Sequence, residues 1–193
     1  MSKTYILITL NIIKKTHGGR MKRNIFLWEL WGFAAVSLLG TVLHFLYDWL
    51  GKAIWIAPFS GVNESTWEHM KLIFWPMLLF AMFQSFFFKS YNSFWCIKLG
   101  GILMGLGMIP LLFYGYNGII GKSPDWINIA IFFISGAVAF IYETRRLKED
   151  AKCKRPRLAL AIICLIGVLF VLFTFITPEL EIFRDPLTSG YGI

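Results

Sequence analysis

Charged residues are scarce in this chain. Only 16% of its 193 residues are Asp, Glu, Lys or Arg, whereas 57% are hydrophobic and the mean hydropathy is +0.63. A soluble domain carries about a quarter charged residues and just under half apolar ones. The scarcity of charge therefore excludes a disordered chain and argues against a soluble enzyme. It favours a polytopic integral membrane protein.

Cysteines at metal-binding or redox spacing are also missing. Cys96, Cys153 and Cys164 lie far apart and form no CxxC, so the sequence predicts neither a disulfide framework nor a zinc knuckle. The chain contains no GxxxxGK[ST], no GxGxxG and no GxSxG. These absences leave ATP-driven transport and serine hydrolysis without support, and the sequence does not favour an enzyme.

Five apolar segments are long enough to cross a bilayer, which requires about 20 residues. They predict an all-α polytopic transmembrane bundle over residues 21–177, followed by a tail over residues 178–193. Pro76 and Pro110 lie inside the second and third segments, where a proline is expected to kink a helix. The five predicted spans are Asn24 to Leu50, about Thr66 to Phe88, Phe94 to Ile119, Trp126 to Leu147 and Leu158 to Thr177.

The basic residues lie mainly on one side of these predicted spans. Fifteen of the nineteen Lys and Arg residues lie before the first span, between the second and third spans, or between the fourth and fifth spans. This number includes residues near the ends of those spans. Because Lys and Arg are enriched on the cytoplasmic side, we expect the N-terminus in the cytoplasm and the C-terminus outside. The membrane is expected to be a bacterial cytoplasmic membrane. The net charge of +8 then reflects contact with the lipid bilayer, and we expect no nucleic-acid partner.

The first twenty residues are expected to be a non-native translated leader or a flexible N-terminus. The apolar run Tyr5 to Ile13 is too short to span a membrane, and it ends in two lysines rather than in a signal-peptide cleavage site. Gly18-Gly19 lies just before Met21, and codons for two glycines can form a bacterial ribosome-binding site. We therefore expect Met21 to be the natural start.

The third predicted span contains a small-residue motif. Gly101 and Gly105 form a GxxxG, a spacing that lets two helix backbones approach closely in lipid. We expect these two glycines to pack helices, with a ligand on the glycine face as the alternative. The motif also permits a homo-oligomer.

Polar residues gather at the predicted outer ends of the first two spans. His44 and Asp48 are i,i+4 neighbours, so an imidazole nitrogen can meet a carboxylate. Glu64 lies in the following loop and is the freest carboxylate of the group. The candidate ligand-binding residues are His44, Asp48, Asn63, Glu64, Glu68 and His69.

Glu68 has two alternative roles. Ser65-Thr66-Trp67-Glu68 matches a capping box, in which Ser65 is the N-cap and Glu68 accepts from the Ser65 backbone N–H. Glu68 is therefore either a cap residue or a site residue. Lys71, on the same helix face, could neutralise one acid.

The predicted C-terminal tail adds further acidic residues to the outer side. It either folds over the mouth of the bundle as a lid or forms a solvated acidic segment, and Glu179 and Glu181, which are separated by one residue, favour the second interpretation. Seven of the eleven acidic residues lie on the predicted outer side, namely Asp48, Glu64, Glu68, Asp125, Glu179, Glu181 and Asp185.

Two histidines and several carboxylates are the ligand types of a zinc-like divalent site. The sequence makes His44, Asp48 and His69 the candidate metal ligands. Their spacing matches no established signature such as HExxH. A polar network that only fixes the packing of the first two spans is the alternative.

The motifs of this region resemble those of a known family. His44-x3-Asp48, Asn63-Glu64-Ser65-x-Trp67-Glu68-His69 and Arg184-Asp185-Pro186 resemble a family of small uncharacterised bacterial multi-pass membrane proteins from Met21 onward. The resemblance implies no activity, but it draws attention to the outer cluster.

Three functions are compatible with the sequence. The first is the binding or transport of a cation or small polar ligand, and the second is a non-catalytic structural role. The third is an intramembrane hydrolase with a metal on His44, Asp48 and His69 and with Glu68 as general base. An inward vestibule beside Glu29 would favour transport, because alternating access requires polar groups at both mouths.

Overall fold

The computed structural model describes residues 3–89, 91–121, 123–149 and 151–193, with side chains from Asn24 onward except that of Asp125. The described residues form no strands, only an isolated bridge between Arg184 and Tyr191, so the all-α prediction is confirmed. The side chains of the predicted leader, residues 1–20, lie outside the described part. The helices are α1 (Lys3–Trp49), α2 (Thr66–Ser85), α3 (Phe94–Ile119), α4 (Asp125–Lys148), α5 (Pro156–Phe175) and a 3-10 turn, Glu181–Phe183.

Four of the helices are long and apolar enough to cross a membrane. They are Asn24–Trp49 of α1, α3, Trp126–Lys148 of α4, and α5. The predicted second span, α2, does not reach this hydropathy because Glu68, His69 and Lys71 lie in its first two turns. Its 20 residues still extend about 30 Å at 1.5 Å per residue.

Two of the helices, α2 and α5, start at residues suited to that position. Ser65 is the N-cap of α2, and its Oγ accepts from the Glu68 backbone N–H at 3.4 Å, which pairs one of the free donors of the first turn. Pro156 opens α5, where the missing N–H of proline is not required by the helix.

The helices run in alternating directions, as one polar cluster shows. Glu29, near the start of the part of α1 whose side chains are described, contacts Gln84 at the end of α2 and Lys98 at the start of α3. Lys98 also contacts Glu143 near the end of α4. We call this part of the bundle the Lys98 end.

The opposite part of the bundle, the His69 end, carries a cavity. Its lining includes His44 of α1, His69 of α2, Phe113 of α3 and Asn128 of α4. Each of these four helices therefore contributes one residue to the cavity and one to the cluster at the Lys98 end. The two residues are fifteen positions apart on every helix, or about 22 Å along the helix axis. Thus α2 extends between the same two ends as its three more apolar neighbours.

An apolar core separates the two ends. Gly105 lies within it, where an added Cβ would be 3.2 Å from Ile73 Cγ2 and 3.5 Å from Ala139 Cβ. At Gly101 an added Cβ would be 2.5 Å from Glu143 Cγ. The two glycines therefore lie where α3 approaches α2 and α4. The core consists of Val36, Ile73, Phe74, Met77, Ile102, Leu106, Ile109, Ala139, Phe140, Ile163 and Phe170.

Cys96 of α3 and Cys153 of the α4–α5 connection form a disulfide, whereas Cys164 is free. The expectation that no disulfide is present was therefore wrong. The two cysteines are 57 positions apart, and only the packing of the α4–α5 connection beside the start of α3 brings them together.

The C-terminal tail is packed against the His69 end. Phe183 is buried, with its ring centroid 4.6 Å from that of Trp67, and Asn63 Nδ2 donates to the Gly192 carbonyl at 3.0 Å. Pro186 and Leu187 line the cavity. The favoured prediction of a solvated segment was wrong for these residues, because an aromatic anchor and a backbone acceptor hold the tail. Its acidic start, with Glu179 and Glu181, is exposed, and so are residues 186–191 on their outer side.

Candidate functional site: a histidine–carboxylate cluster

His44, Glu64 and His69 come together at the His69 end. The distance from His44 Nε2 to Glu64 Oε1 is 3.7 Å, and that from His69 Nε2 to Glu64 Oε2 is 3.5 Å. One ligand atom from each residue can be chosen so that all three lie within 4.8 Å of one another. All three side chains are half-buried, so solvent can reach them.

The ring orientation of His69 is fixed by its own helix. His69 Nδ1 lies 3.0 Å from the Ser65 carbonyl oxygen. A carbonyl only accepts, so Nδ1 carries the proton and, in the neutral ring, Nε2 presents its lone pair toward Glu64. A backbone carbonyl on the far nitrogen is the usual arrangement around a metal-binding histidine.

The loop before α2 holds Glu64 against α1. Ser60 Oγ accepts from the Tyr47 backbone N–H at 3.0 Å and donates to the Leu43 carbonyl. Asn63 Oδ1 accepts from the Ser65 backbone N–H at 2.9 Å, which forms a tight turn directly around Glu64. Hydrogen bonds between side chains and backbone on both sides of Glu64 therefore hold the loop so that its carboxylate lies beside the two imidazoles.

Glu68 is held by structural partners. Its Oε2 accepts from the Val62 backbone N–H at 2.9 Å and lies 2.6 Å from Lys71 Nζ. The reciprocal half of the predicted capping box is not formed, because Ser65 N donates to Asn63 instead. The suggestion that Lys71 neutralises an acid on this face is confirmed.

Lys71 is fully buried, and its ammonium has further partners. It donates to the Ala57 carbonyl at 2.9 Å and to Thr174 Oγ1 at 3.1 Å. The Glu68–Lys71 pair thus joins the α1–α2 loop, α2 and the end of α5. This arrangement leaves Glu68 to stabilise the fold beside the cluster.

Asp48 does not join the cluster. Its side chain is exposed, and His44 faces Glu64 instead of the predicted i,i+4 partner. The structure therefore brings together His44, Glu64 and His69, whereas the sequence suggested His44, Asp48 and His69. The spacing of residues along α1 could not show that the α1–α2 loop places the Glu64 carboxylate beside His44.

The cluster lies at the edge of a cavity of about 540 Å³. Much of the wall is aromatic, with Phe45 of α1, Phe113 of α3, and Phe132 and Phe133 of α4. This volume is in the range of small-molecule sites, which are usually apolar with a few placed polar groups.

A second polar group on the cavity wall is preorganised by its own hydrogen bonds. Asn117 Oδ1 accepts from the Ser123 backbone N–H at 2.7 Å, and Ser123 Oγ lies 2.8 Å from Asn128 Oδ1. The cavity therefore joins a histidine–carboxylate edge, an aromatic wall and an amide-rich corner.

The Lys98 end contains a second, fully buried polar cluster. Lys98 Nζ lies 2.5 Å from Glu143 Oε2 and 3.3 Å from both carboxylate oxygens of Glu29. Gln84 Nε2 donates to Glu29 Oε1 at 2.7 Å. The rings of Phe80, Phe94 and Phe140 lie within 5.8 Å of the ammonium.

Most of this second cluster was not predicted from the sequence. Glu29 was noted as ionisable, but Lys98 was counted among the charges around a connection and Glu143 was not singled out. The available signal was the presence of single ionisable residues inside apolar helices, which are expensive in a membrane and usually functional.

These features define a class of protein: an all-helical chain with four membrane-capable helices and a His/Glu cluster at one end of the bundle. The chain belongs to the Family of unknown function (DUF6512), whose model matches residues 20–193. This membership confirms the resemblance to an uncharacterised family. No curated protein and no solved structure matches the chain.

Proposed function

We propose that this protein is a multi-pass membrane protein that binds a divalent transition-metal cation, with zinc as the best candidate, through His44, Glu64 and His69. The observation that carries the proposal is the convergence of two imidazole nitrogens and a carboxylate within 4.8 Å. Imidazole and carboxylate are both zinc ligands. The half-buried position of the cluster beside a cavity distinguishes it from the buried Glu68–Lys71 pair.

Three protein ligands leave one position of a tetrahedral zinc site open. The cavity beside the cluster gives a water molecule or a small polar ligand access to that position. A site with an open position and a carboxylate from a loop suits reversible binding or transport of the cation. The hydrolase alternative gains no support, because its proposed general base, Glu68, is paired with Lys71.

We also propose five spans, with the His69 end and the C-terminus outside. The length of α2, and its position between the same two ends as α1, α3 and α4, support the fifth span. The orientation is supported by the enrichment of Lys and Arg around the Lys98 end. In a bacterial cytoplasmic membrane the cation site then faces outward.

Isothermal titration of the purified full chain with zinc tests the proposal. We expect one zinc per chain, and Glu64→Gln, His44→Ala and His69→Ala should each weaken binding by more than about 100-fold, because even changes to outer-shell groups cost 10–100-fold. Asp48→Asn is the matched control, since it removes an exposed carboxylate of the same region and should bind zinc as the wild type does. The absence of zinc binding would leave helix packing as the role of the cluster.

A further inference from the structure

The Lys98 end contains more acidic than basic groups in a closed space. Glu29, Lys98 and Glu143 are 1%, 2% and 0% exposed, and they come from three different helices. The neighbours that close the cluster are aromatic rings and the Gln84 amide. Among the described residues no second cation forms an ion pair with either carboxyl group. Two carboxylates and one ammonium would therefore leave an uncompensated negative charge in an apolar setting.

Such a charge is costly, because an isolated ionised carboxylate away from water loses far more solvation energy than a neutral carboxyl group. One added proton removes the imbalance and leaves a neutral cluster with a single ion pair. The charge count alone therefore favours a shared proton.

The contacts indicate where the proton lies. Glu29 accepts from Gln84 and has Lys98 Nζ at 3.3 Å from each oxygen, as an ionised carboxylate requires. Glu143 contacts the ammonium through Oε2 only, and its buried Oε1 has no hydrogen-bond partner among the described residues. An unpartnered oxygen is better tolerated on a neutral carboxyl group than on a carboxylate.

We infer that Glu29, Lys98 and Glu143 form a proton-binding site that holds one proton at neutral pH, on Glu143, with Lys98 and Glu29 ionised. The site lies about 22 Å from the His69 end along the helices. Carboxyl groups inside membrane helices are the groups from which proton relays are built. The site adds proton binding to the chain independently of whether the His69 end binds a cation.

Infrared spectroscopy of the full chain in an ester-free detergent tests this inference at neutral pH. A protonated carboxyl group has a C=O stretching band that carboxylates lack and that shifts in D₂O. We expect the wild type to show one such group per chain. Both Glu143→Gln and Glu29→Gln should lose the band, because each leaves one carboxylate balanced by Lys98.

The matched control is Glu149→Gln, which changes an exposed glutamate at the same end of α4 and should keep the band. In both test variants the introduced glutamine is close in shape to the glutamate it replaces, and one balanced ion pair remains. Circular dichroism checks that each variant remains helical. The inference would be overturned if the folded wild type lacked the band. Retention of the band in either test variant, or its loss in Glu149→Gln, would also overturn it.

Discussion

Glu64 and Glu68 are four residues apart and have different surroundings. Glu68 is buried, and its Oε2 is occupied by Lys71 and the Val62 backbone N–H. Glu64 is 41% exposed at its side chain, and its contacts are two histidine nitrogens at 3.5 and 3.7 Å. These distances are too long for strong hydrogen bonds and leave space for an ion. Burial and occupied partners therefore assign Glu68 to stability, whereas Glu64 remains accessible for the proposed cation.

Replacing Lys71 by methionine should strongly destabilise the bundle. The variant leaves the Glu68 carboxylate buried without its cation, and breaking a buried pair from one side typically costs about 3–5 kcal/mol. The free energy of unfolding, measured by denaturant titration in mixed micelles, should fall by that amount. Lys152→Met is the control at an exposed lysine and should change it by less than about 0.5 kcal/mol. Equal stability of the two variants would contradict the structural role of the pair.

The sequence indicated the residue types of the site but not their grouping. His44, Glu64 and His69 were all candidates, because imidazoles and carboxylates are the ligand types of a zinc-like divalent site. Asp48 was paired with His44 from helical spacing alone. That spacing contains no information on where the α1–α2 loop places Glu64. Lys98 and Glu143 could be grouped only once α3 and α4 were packed side by side.

At the scale of helices, α3 and α4 share the most extensive contact among the described helices. Glu143 crosses the position that a side chain at Gly101 would occupy, and this lets its carboxylate reach Lys98 of the same neighbouring helix. The glycine therefore allows both the helix packing and the formation of the buried charge cluster.

Gly101→Ala should destabilise the protein, because the new methyl group overlaps the Glu143 side chain. Overpacking of this kind typically costs about 1–3 kcal/mol. Gly107→Ala, on the same helix with no atom within 4 Å of the added Cβ, should be neutral or gain up to about 1 kcal/mol. Unfolding titrations of the two variants provide the measurement, and equal effects would argue against close packing at Gly101.

Helix positions could be predicted well where hydropathy changes abruptly. The predicted third span, Phe94 to Ile119, coincides with α3. The predicted second span extended to Phe88, whereas α2 ends at Ser85, because the aromatic residues that follow the helix are as apolar as those inside it. Hydropathy also gave no information on the tail, since its anchor is a single phenylalanine.

For the whole molecule, the two polar clusters lie at opposite ends of the bundle with an apolar core between them. One cluster is half-exposed beside a cavity and the other is closed. This arrangement could not be predicted from the sequence, because it depends on which faces of four helices meet. The enrichment of basic residues near one end was, in contrast, visible in the sequence and supports the proposed orientation.

Reporter fusions should reveal this orientation. Alkaline phosphatase fused after Ile193 is expected to be active, because this enzyme is active only outside the cytoplasm. A fluorescent protein that folds only in the cytoplasm should stay dark when it is fused at the same position. Fusions within the α4–α5 connection, after Lys152, should give the opposite pattern. A fluorescent C-terminal fusion would contradict the proposed five-span topology with a cytoplasmic N-terminus.

Binding of a divalent cation by His44, Glu64 and His69 can be measured by X-ray absorption at the zinc edge of the loaded, purified chain. We expect two imidazole nitrogens at about 2.0–2.1 Å and oxygen ligands at about 2.0–2.2 Å, with one imidazole lost in His69→Ala. Sulfur ligands at about 2.3 Å, or an unchanged spectrum in His69→Ala, would contradict it.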